Sequence, residues 1–493
     1  MKMRLFAALL CSAMLISFAA ACGDSAGSSA PAGNAETAAA AGDAVTEAEE
    51  TEPPRPDSGL PETDWGGRSY RISCFYDNDV KTLYVEEQTG EVVEDAIYRR
   101  NSALMEKYNF KLDVQLSVGD GDYGAHQNFV KKLIASGEDA FELIYSHVIG
   151  CPNMAVAGYF TDLHEVPYLN FEQPWWPHQS VDEMTVYGRM FTICSGINQA
   201  QLSSGKVVFF NKTLLEAAGQ QNPYQDVKDG KWTIDALAGR SKGFYIDLNG
   251  DGKQDEEDQF GYSTDVRQNG FLVSCNTPVL SPTEDGGREI SVLSDRTVTL
   301  VEKVYDWYYE SNDVMRFNDY GLNEKYFASG KAAYAFSKLS SSTVFRTSDV
   351  IYGIVPQPKF DEAQENYYIF ACPSLFGVPL TAADLEFSGF VFEAMTYAGY
   401  YDVIPTYYEI TLKGKVADSQ DDVEMLELIN DHLTVSFAYC YDNWEGFAHL
   451  FNSRMGFNEN KGSRDLASMY EKNVKKAQKR LDKILAAFAE YGA

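Results

Sequence analysis

The chain has 493 residues and a net charge of -31, with hydrophobic residues at 45% and aromatic residues at 13%. A chain of this length exceeds what one hydrophobic core usually holds, so we expect two or more lobes. Its negative charge disfavours binding to nucleic acid or to anionic lipid headgroups. A neutral ligand or a cation fits better than a phosphate polymer.

The N-terminus predicts export and lipidation. Residues 1–21 carry two basic residues, then an apolar run and small residues, which is typical of a secretory signal peptide. The sequence AAAC at residues 19–22 resembles the end of a bacterial lipoprotein signal, although Ala19 stands where Leu is usual. We therefore expect Cys22 to carry the lipid (palmitate) as the first mature residue. The alternative is an ordinary secretory signal that leaves Cys22 as a free thiol.

Residues 22–65 predict a flexible acidic tether behind that cysteine. Residues 23–63 are rich in small residues and hold nine acids against Arg55, a composition that cannot form a core. The rest of the chain shows no further transmembrane run. Lipid, tether and globule together predict a protein anchored at the extracellular face of the plasma membrane, in a Gram-positive-type bacterium.

Six cysteines fall within the globule, and their spacing does not indicate a metal site. No CxxC pair occurs, so a zinc ribbon or a thioredoxin-type site is not expected. They are either buried thiols or members of up to three disulfides, and the sequence leaves both open for Cys74, Cys151, Cys194, Cys275, Cys372 and Cys440.

The first part of the globule alternates between strand and helix patterns. Residues 70–76 and 110–116 have the period of two that is typical of strands, and residues 93–108 have helical spacing. The segment NFVKKLIASG predicts a helix ended by Gly137, and FELIYS predicts a short buried strand. This order predicts an α/β fold with a mixed, mostly parallel sheet covered by helices on both faces.

The second part repeats the alternation. The run VVFF at residues 207–210 predicts a buried strand, followed by short helices, one of them capped by Thr233. Strands are expected again at KAAYAF and VIYGIVPQPK, and residues 465–491 predict a long amphipathic helix.

Several segments together resemble the extracellular solute-binding lipoproteins of bacterial ABC importers, of the sugar-binding, family 1-like kind. The resemblance extends from about residue 66 to the end of the chain and lies in the order of the segments, since no single one is specific. The segments are DAIYRRNSALMEKYNFKLDV, GEDAFELIYS, GYFTDLHEVPYLNFEQPWWP, VVFFNKTLLEAAGQQNPYQDVKDGKWTIDAL, DLNGDGKQDEEDQFGYS, FASGKAAYAF, YGIVPQPKFDEAQENYY and VIPTYYEITLKGK.

The resemblance implies a two-lobed, periplasmic-binding-protein-like fold of type II with the ligand cleft between the lobes. It places the first crossing between lobes near residues 207–211 and the return near residues 333–338. The implied N-lobe consists of residues 66–207 plus about 334–385. The implied C-lobe consists of residues 208–333 plus about 386–493. It also implies capture of a carbohydrate, of oligosaccharide size, by a monomer that delivers it to the transmembrane subunits of an ABC permease.

The segment DLNGDGKQDEED matches the oxygen pattern of a calcium-binding loop. Such loops place ligands at positions 1, 3, 5, 7, 9 and 12, with Gly at position 6, which is Gly252 here. Position 12 is Asp rather than the usual Glu, and the alternative is a solvated acidic turn. Because a single loop lacks the pairing of a sensor, we expect a structural Ca²⁺ held by Asp247, Asn249, Asp251, the Lys253 carbonyl, Asp255 and Asp258.

The sequence gives no strong enzyme signature. HExxH and GxxxxGK[ST] are absent, GDSAG at residues 23–27 matches GxSxG only within the predicted tether, and GDGDYG at residues 119–124 is a lone match to GxGxxG. We expect neither enzymatic activity nor a catalytic cofactor. Two alternatives stay open: a secreted carbohydrate-active hydrolase or lyase, and a binder of peptides or other non-sugar solutes.

Candidate ligand residues follow the ends of predicted strands or lie in polar aromatic segments. Sugars need a flat apolar platform together with carboxylate or amide partners for their hydroxyls. For each Trp the alternative is packing within a lobe, and for His147 a structural role is more usual than ligand contact. The candidates are Tyr76, Asp77, Asn78, Tyr145, Ser146, His147, Trp175, Trp176 and Trp444.

Overall fold

The computed structural model describes residues 55–412, 420–441, 443–457 and 462–491. The chain divides into two units, residues 1–59 and 60–493, and all the strands and helices named below belong to the second. The predicted signal peptide, the predicted lipidation site Cys22 and the predicted tether up to residue 54 lie outside the described residues.

The described strands form two larger sheets and two short pairs. They are β1 (Arg68–Cys74), β2 (Phe110–Leu116), β3 (Leu143–Ser146), β4 (Lys206–Asn211), β5 (Phe260–Thr264), β6 (Leu280–Pro282), β7 (Arg288–Ile290), β8 (Val314–Arg316), β9 (Ala332–Lys338), β10 (Tyr352–Pro356), β11 (Ile369–Phe370), β12 (Leu375–Gly377) and β13 (Leu433–Thr434).

The described α-helices cover the sheets and connect their strands. They are α1 (Asp77–Leu83), α2 (Val92–Tyr108), α3 (Tyr123–Ser136), α4 (Gly150–Val156), α5 (His178–Met184), α6 (Ala200–Ser204), α7 (Lys212–Ala217), α8 (Tyr224–Lys228), α9 (Ile234–Arg240), α10 (Gly270–Ser274), α11 (Asp295–Tyr309), α12 (Tyr320–Ala328), α13 (Ser342–Phe345), α14 (Leu385–Asp402), α15 (Ile404–Leu412), α16 (Gln420–Asp431), α17 (Phe437–Cys440) and α18 (Leu466–Ala489).

The first sheet has the strand order β12-β3-β1-β2, in which β1 is parallel to β2 and β3 and β12 is antiparallel to β3. In β1 the adjacent residues Ile72 and Ser73 are both buried, although they point to opposite faces. The first sheet is therefore covered on both faces, as its alternation with helices predicts. This sheet and the helices around it form the first lobe.

The second sheet has the order β10-β4-β9-β5-β8 and forms the second lobe with its helices. In it β4 is antiparallel to β9 and β10, whereas β5 is parallel to β8 and β9. All six residues of β4 are buried, which explains why VVFF reads as a continuous apolar run. The predicted α/β class with mixed sheets flanked by helices is confirmed.

Two segments cross between the sheets, and their positions correct the predicted lobe boundaries. Residues 194–205 lead from Ile193, which bridges to Phe376 of β12, to β4. Residues 357–374 return from β10 to β12 and contain β11, which pairs with β13.

The predicted crossings at residues 207–211 and 333–338 are instead β4 and β9, which are paired neighbours inside the second sheet. Residues 334–356, assigned to the N-lobe, thus lie in the second lobe. In the opposite sense, α14 was assigned to the C-lobe but packs against α2 of the first lobe. A strand buried on both faces has the same apolar pattern whether it crosses between lobes or lies inside one.

The two longest helices differ in burial. Nearly every residue of α14 from Phe387 to Thr396 is buried. By contrast, α18 is amphipathic and begins where the Asp465 side chain accepts a hydrogen bond from the Ser468 amide, which confirms the helix predicted for residues 465–491. Searching the described residues for a helix long and apolar enough to cross a membrane finds none.

The six cysteines of the globule are free thiols in the described structure, and all but Cys372 are buried. Of the two alternatives that the sequence leaves open, the structure has thiols.

Candidate functional site

The predicted ligand residues after β1 lie on the surface. Tyr76, Asp77 and Asn78 are exposed at the start of α1. The Asp77 amide donates to Asp120 Oδ1 at 2.7 Å, and its carboxylate pairs with Lys81 at 2.7 Å. Of these three, Tyr76 presents the only ring, with 42% of its surface exposed.

The side chains at the end of β3 mostly make packing and hydrogen-bond contacts within the first lobe. Tyr145 is fully buried and stacks on Phe376 at 4.1 Å. Ser146 is also fully buried, and its hydroxyl lies 2.9 Å from His126 Nδ1. Partly buried His147 stacks on Tyr123 at 4.5 Å, which is the structural role expected for it.

Trp175 and Trp176 share one carboxylate. Trp175 is 1% exposed and donates to Glu393 Oε1 at 2.7 Å, whereas Trp176 is 2% exposed and donates to Glu393 Oε2 at 3.0 Å. Burial raises the pKa of Glu393 to about 7, although the two indole hydrogen bonds act in the opposite direction. With both rings enclosed and both N–H groups paired, neither tryptophan offers a face to a ligand. The packing alternative therefore replaces the predicted platform.

Trp444 is enclosed as well, but its polar group is not paired. The residue is fully buried, 6.3 Å from the ring of Phe437, and has a φ of 43°. Its Nε1 is buried with no hydrogen-bond acceptor among the described residues. Trp444 therefore also packs within the protein rather than presenting a platform.

Polar contacts attach the two crossing segments to α1, which follows β1, and to β3 of the first lobe. Ser374 donates to Asp79 Oδ2 at 2.8 Å, and Asn198 Nδ2 donates to Thr82 Oγ1 at 3.0 Å and to the Tyr145 hydroxyl at 3.3 Å. Burial raises the pKa of Asp79 to about 6, partly offset by the Ser374 hydrogen bond. The crossing segments thus meet the first sheet at the carboxyl ends of β1 and β3, where open α/β sheets bind ligands.

On the second-lobe side, cationic and aromatic side chains gather beside the same crossings. Lys206 Nζ donates to Cys372 Sγ at 3.1 Å, and the opposite residue on β9 is Lys338. We call this group the crossing cluster; its members are Lys206, Arg267, Tyr320, Lys338, Cys372 and Tyr439.

Arg267 is the paired cation of the crossing cluster. Its guanidinium forms ion pairs with Asp265 and, at 3.1 Å, with Glu324. The same guanidinium lies over the ring of Tyr320, 4.8 Å from the centroid, and 52% of Tyr320 is exposed. This arrangement holds an exposed aromatic ring in a fixed orientation.

Tyr439 connects the cluster with a cavity of about 400 Å³. Its ring lies 5.1 Å from that of Phe370 in the return crossing and 4.8 Å from that of His449. Residues of both lobes line the cavity, including Glu183 of α5 in the first lobe and Asn269 in the second. Burial raises the pKa of the Tyr439 hydroxyl, so it is neutral at physiological pH.

The predicted calcium loop is ordered by its own side chains. Asp247 accepts hydrogen bonds from the amides of Gly250 at 2.6 Å and Gly252 at 2.9 Å, and buried Asp258 accepts one from the Leu248 amide at 3.1 Å. Asn249, Asp251 and Asp255 each accept one from the amide two positions further on. Among the described residues no group of three or more His, Cys, Asp or Glu side chains converges as a metal site. Calcium binding stays a prediction.

Solved structures of bacterial binding proteins share this fold. The GacH receptor of Streptomyces glaucescens, described with acarbose, matches with a TM-score of 0.54 and 14% identity over 84% of this chain and 99% of that one. The maltose/maltodextrin-binding domain MalE from Bdellovibrio bacteriovorus, bound to maltotriose, matches with a TM-score of 0.52 and 13% identity over 83% of this chain and 100% of that one. UgpB from Mycobacterium tuberculosis, in complex with glycerophosphocholine, matches with a TM-score of 0.50 and 11% identity over 85% of this chain and 99% of that one.

This likeness confirms the predicted two-lobed, periplasmic-binding-protein-like fold. At such identities it shows the fold alone, and the ligands named for these structures are maltotriose, acarbose and glycerophosphocholine. Neither a protein-family model nor a curated protein sequence matches the chain.

Sequence reasoning did not identify the crossing cluster. One signal was available: Lys206 begins β4 and Lys338 ends β9, and most of the other residues in both strands are apolar. A cation at the end of a buried strand calls for a partner or a ligand. The signal that the sequence lacks is the pairing of the two strands, which sets the lysines opposite each other.

Proposed function

We propose that the protein is the extracellular solute-binding component of an ABC importer, capturing a carbohydrate of oligosaccharide size between its lobes. The observation that carries this proposal is the shared two-lobed fold, which extends over 83–85% of the chain and nearly all of each compared structure. Two of those structures are described with maltotriose and with acarbose.

The side chains at the junction suit a saccharide. Tyr320 supplies an exposed ring held by Arg267, which can stack on the apolar face of a sugar. Tyr76 adds a second exposed ring at the end of β1.

The same arrangement supports binding rather than catalysis. The carboxylates of the second lobe near the cluster, Asp265 and Glu324, are both engaged by Arg267. A hydrolase needs one carboxylate free to act as acid and another as base or nucleophile. We therefore propose that the ligand is held, then passed unchanged to the transmembrane subunits of the permease.

The proposal includes the location and anchoring of the protein. A lipid on Cys22 would hold the monomeric globule at the extracellular face of the membrane through the acidic tether. Cys22→Ser should then leave the protein unprocessed or release it from membranes. Normal processing together with membrane partitioning of that variant would contradict lipid anchoring.

We also propose a structural Ca²⁺ in the loop at residues 247–258. Its predicted ligands are oxygen atoms, which suit this hard cation. Since Tyr326 donates to the Asp258 carbonyl at 2.6 Å, the end of the loop is attached to α12 of the second lobe. An ion there would stabilise that lobe without taking part in ligand binding.

The function is tested by a melting-temperature screen of the purified protein against neutral glycans, acidic glycans and short peptides. A ligand that binds only the folded state raises the melting temperature by mass action. Stabilisation by a glycan that is recovered intact is the expected result. Stabilisation by peptides alone would favour a non-sugar solute, and catalytic cleavage of the glycan would favour a hydrolase or lyase.

A further inference from the structure

Two lysines oppose each other where the second sheet meets the crossing segments. The antiparallel pairing of β4 with β9 sets Lys206 directly opposite Lys338. Directly opposed side chains lie on one face of a sheet with their Cβ atoms about 5 Å apart, so like charges there destabilise the pairing. Lys206 is only 3% exposed, which makes its charge costly to keep.

Among the described residues neither lysine forms an ion pair with an Asp or Glu side chain, and no hydrogen-bond acceptor is found for Lys338 Nζ. Lys206 Nζ donates to the Ser204 carbonyl at 2.9 Å and to Cys372 Sγ at 3.1 Å, which are neutral or weak acceptors. Nearby Glu324 is already engaged by Arg267 and by the Ser341 hydroxyl, which donates at 2.7 Å.

Lys338 differs from the buried cations that lack a carboxylate partner, because no acceptor of any kind is found for it among the described residues. The chain has 72 acidic residues against 41 Lys and Arg, so carboxylates are plentiful. Other buried cations without a carboxylate donate to backbone carbonyls: Arg288 to that of Glu183 at 2.9 Å, and Lys359 to that of Gln364 at 2.7 Å. Burial lowers the pKa of Lys338; the nearby Glu324 carboxylate opposes this shift, whereas Arg267 and Lys206 act in the same direction as burial.

We infer that the captured saccharide carries an anionic group, a carboxylate or a sulfate or phosphate ester, which Lys206 and Lys338 receive between them. This inference rests on the proposed function and names the class of its ligand. An oxyanion between two ammonium groups gains charge-assisted hydrogen bonds and removes their mutual repulsion. Exposed Tyr320, beside Arg267 in the same cluster, is available to the sugar ring.

The net negative charge of the chain does not oppose such a ligand at short range. Charges on the rest of the surface are screened beyond a Debye length of about 8 Å at physiological ionic strength. Inside the cluster, three cations stand against the two carboxylates of Asp265 and Glu324. The local field therefore favours an anion, although composition alone favours a neutral or cationic ligand.

The test compares acidic saccharides with neutral counterparts of the same skeleton. The probes are trigalacturonate and its methyl ester, 3′-sulfated lactose and lactose, and trehalose 6-phosphate and trehalose. Calorimetry is carried out on the wild type, on Lys338→Met and on Lys325→Met. Lys325 is exposed on α12, so its loss changes the net charge equally without touching the cluster.

We expect at least one acidic probe to bind the wild type at least tenfold more tightly than its neutral counterpart. Lys338→Met should lose about tenfold or more of that affinity, Lys338→Arg should retain most of it, and Lys325→Met should bind as the wild type does. The melting temperature of free Lys338→Met should be unchanged or higher, because the substitution removes an unpaired charge opposite Lys206. The acidic probe that binds identifies the anionic group.

Other outcomes separate this inference from the proposed function. If neutral probes bind as tightly as acidic ones, or Lys338→Met retains full affinity for the acidic probe, the inference is wrong while saccharide capture stands. A large fall in the melting temperature of Lys338→Met with unchanged acidic preference would make the lysine structural. If no glycan binds, charged or neutral, both proposals are wrong.

Discussion

The pocket around Glu393 and the crossing cluster both combine aromatic rings with buried charge, yet they differ in how that charge is balanced. Glu393 is 1% exposed and accepts hydrogen bonds from the indoles of Trp175 and Trp176. Lys338 has no acceptor among the described residues and stands opposite a second lysine. Hydrogen bonds from the fold occupy both oxygens of Glu393, whereas half-buried Lys338 keeps its ammonium group open to an anion at the junction of the lobes.

The largest effect is expected from Trp175→Ala. Removing a fully buried indole leaves a cavity and one unpaired oxygen on Glu393, so the free energy of unfolding should fall by about 3–5 kcal/mol. The affinity of the folded fraction for its ligand should not change. Chemical denaturation beside calorimetry measures both quantities. A large loss of ligand affinity with an unchanged free energy of unfolding would show that Trp175 contacts the ligand instead.

Glu393→Gln should change how stability depends on pH. Because the folded pKa of about 7 lies above the ordinary value of 4.5, the folded state binds the proton more tightly than the unfolded state. Its contribution to stability is complete below about pH 4.5 and is lost as the pH rises through 7. Between those values the wild type should lose about 3 kcal/mol more than the variant. If the pH profiles of unfolding free energy for the wild type and Glu393→Gln are parallel, Glu393 does not titrate in this way.

Tyr320→Ala tests the crossing cluster as the ligand site. An exposed ring contributes little to stability, so the free energy of unfolding should change by less than about 0.5 kcal/mol. Loss of a stacking partner should weaken saccharide binding about fivefold to tenfold. Leu322→Ala, at a similarly exposed position on α12, is the matched control and should have neither effect. Equal affinities for wild type and Tyr320→Ala would exclude the ring from the site.

The smallest effect concerns the loop at residues 247–258, which belongs to neither region compared. If it binds calcium at several times its Kd, chelation should lower the free energy of unfolding by about 1 kcal/mol. Asp251→Ala should abolish that sensitivity while ligand affinity stays the same. Melting curves of both proteins with and without chelator provide the measurement. If chelator does not change the melting temperature of the calcium-saturated wild type, the prediction of a structural Ca²⁺ is wrong.

The sequence predicts elements whose signals are local. The alternation in β1 and β2 and the cap and apolar stripe of α18 are each contained within a few turns or residues, and the structure has them. The two tryptophans could not be assigned in the same way, because their partner Glu393 lies 218 positions from Trp175. Likewise, the opposition of Lys206 and Lys338 depends on the register between distant strands, which periodicity does not encode.

The central claim is that the lobes hold a saccharide at their junction and release it unchanged. Equilibrium dialysis of the purified protein with the glycan selected by the melting screen, followed by mass spectrometry of the recovered ligand, tests this claim most directly. One intact glycan bound per chain, with weaker binding in both Lys338→Met and Tyr320→Ala, is the result that we predict. Recovery of cleaved glycan, or full binding by both variants, would contradict it.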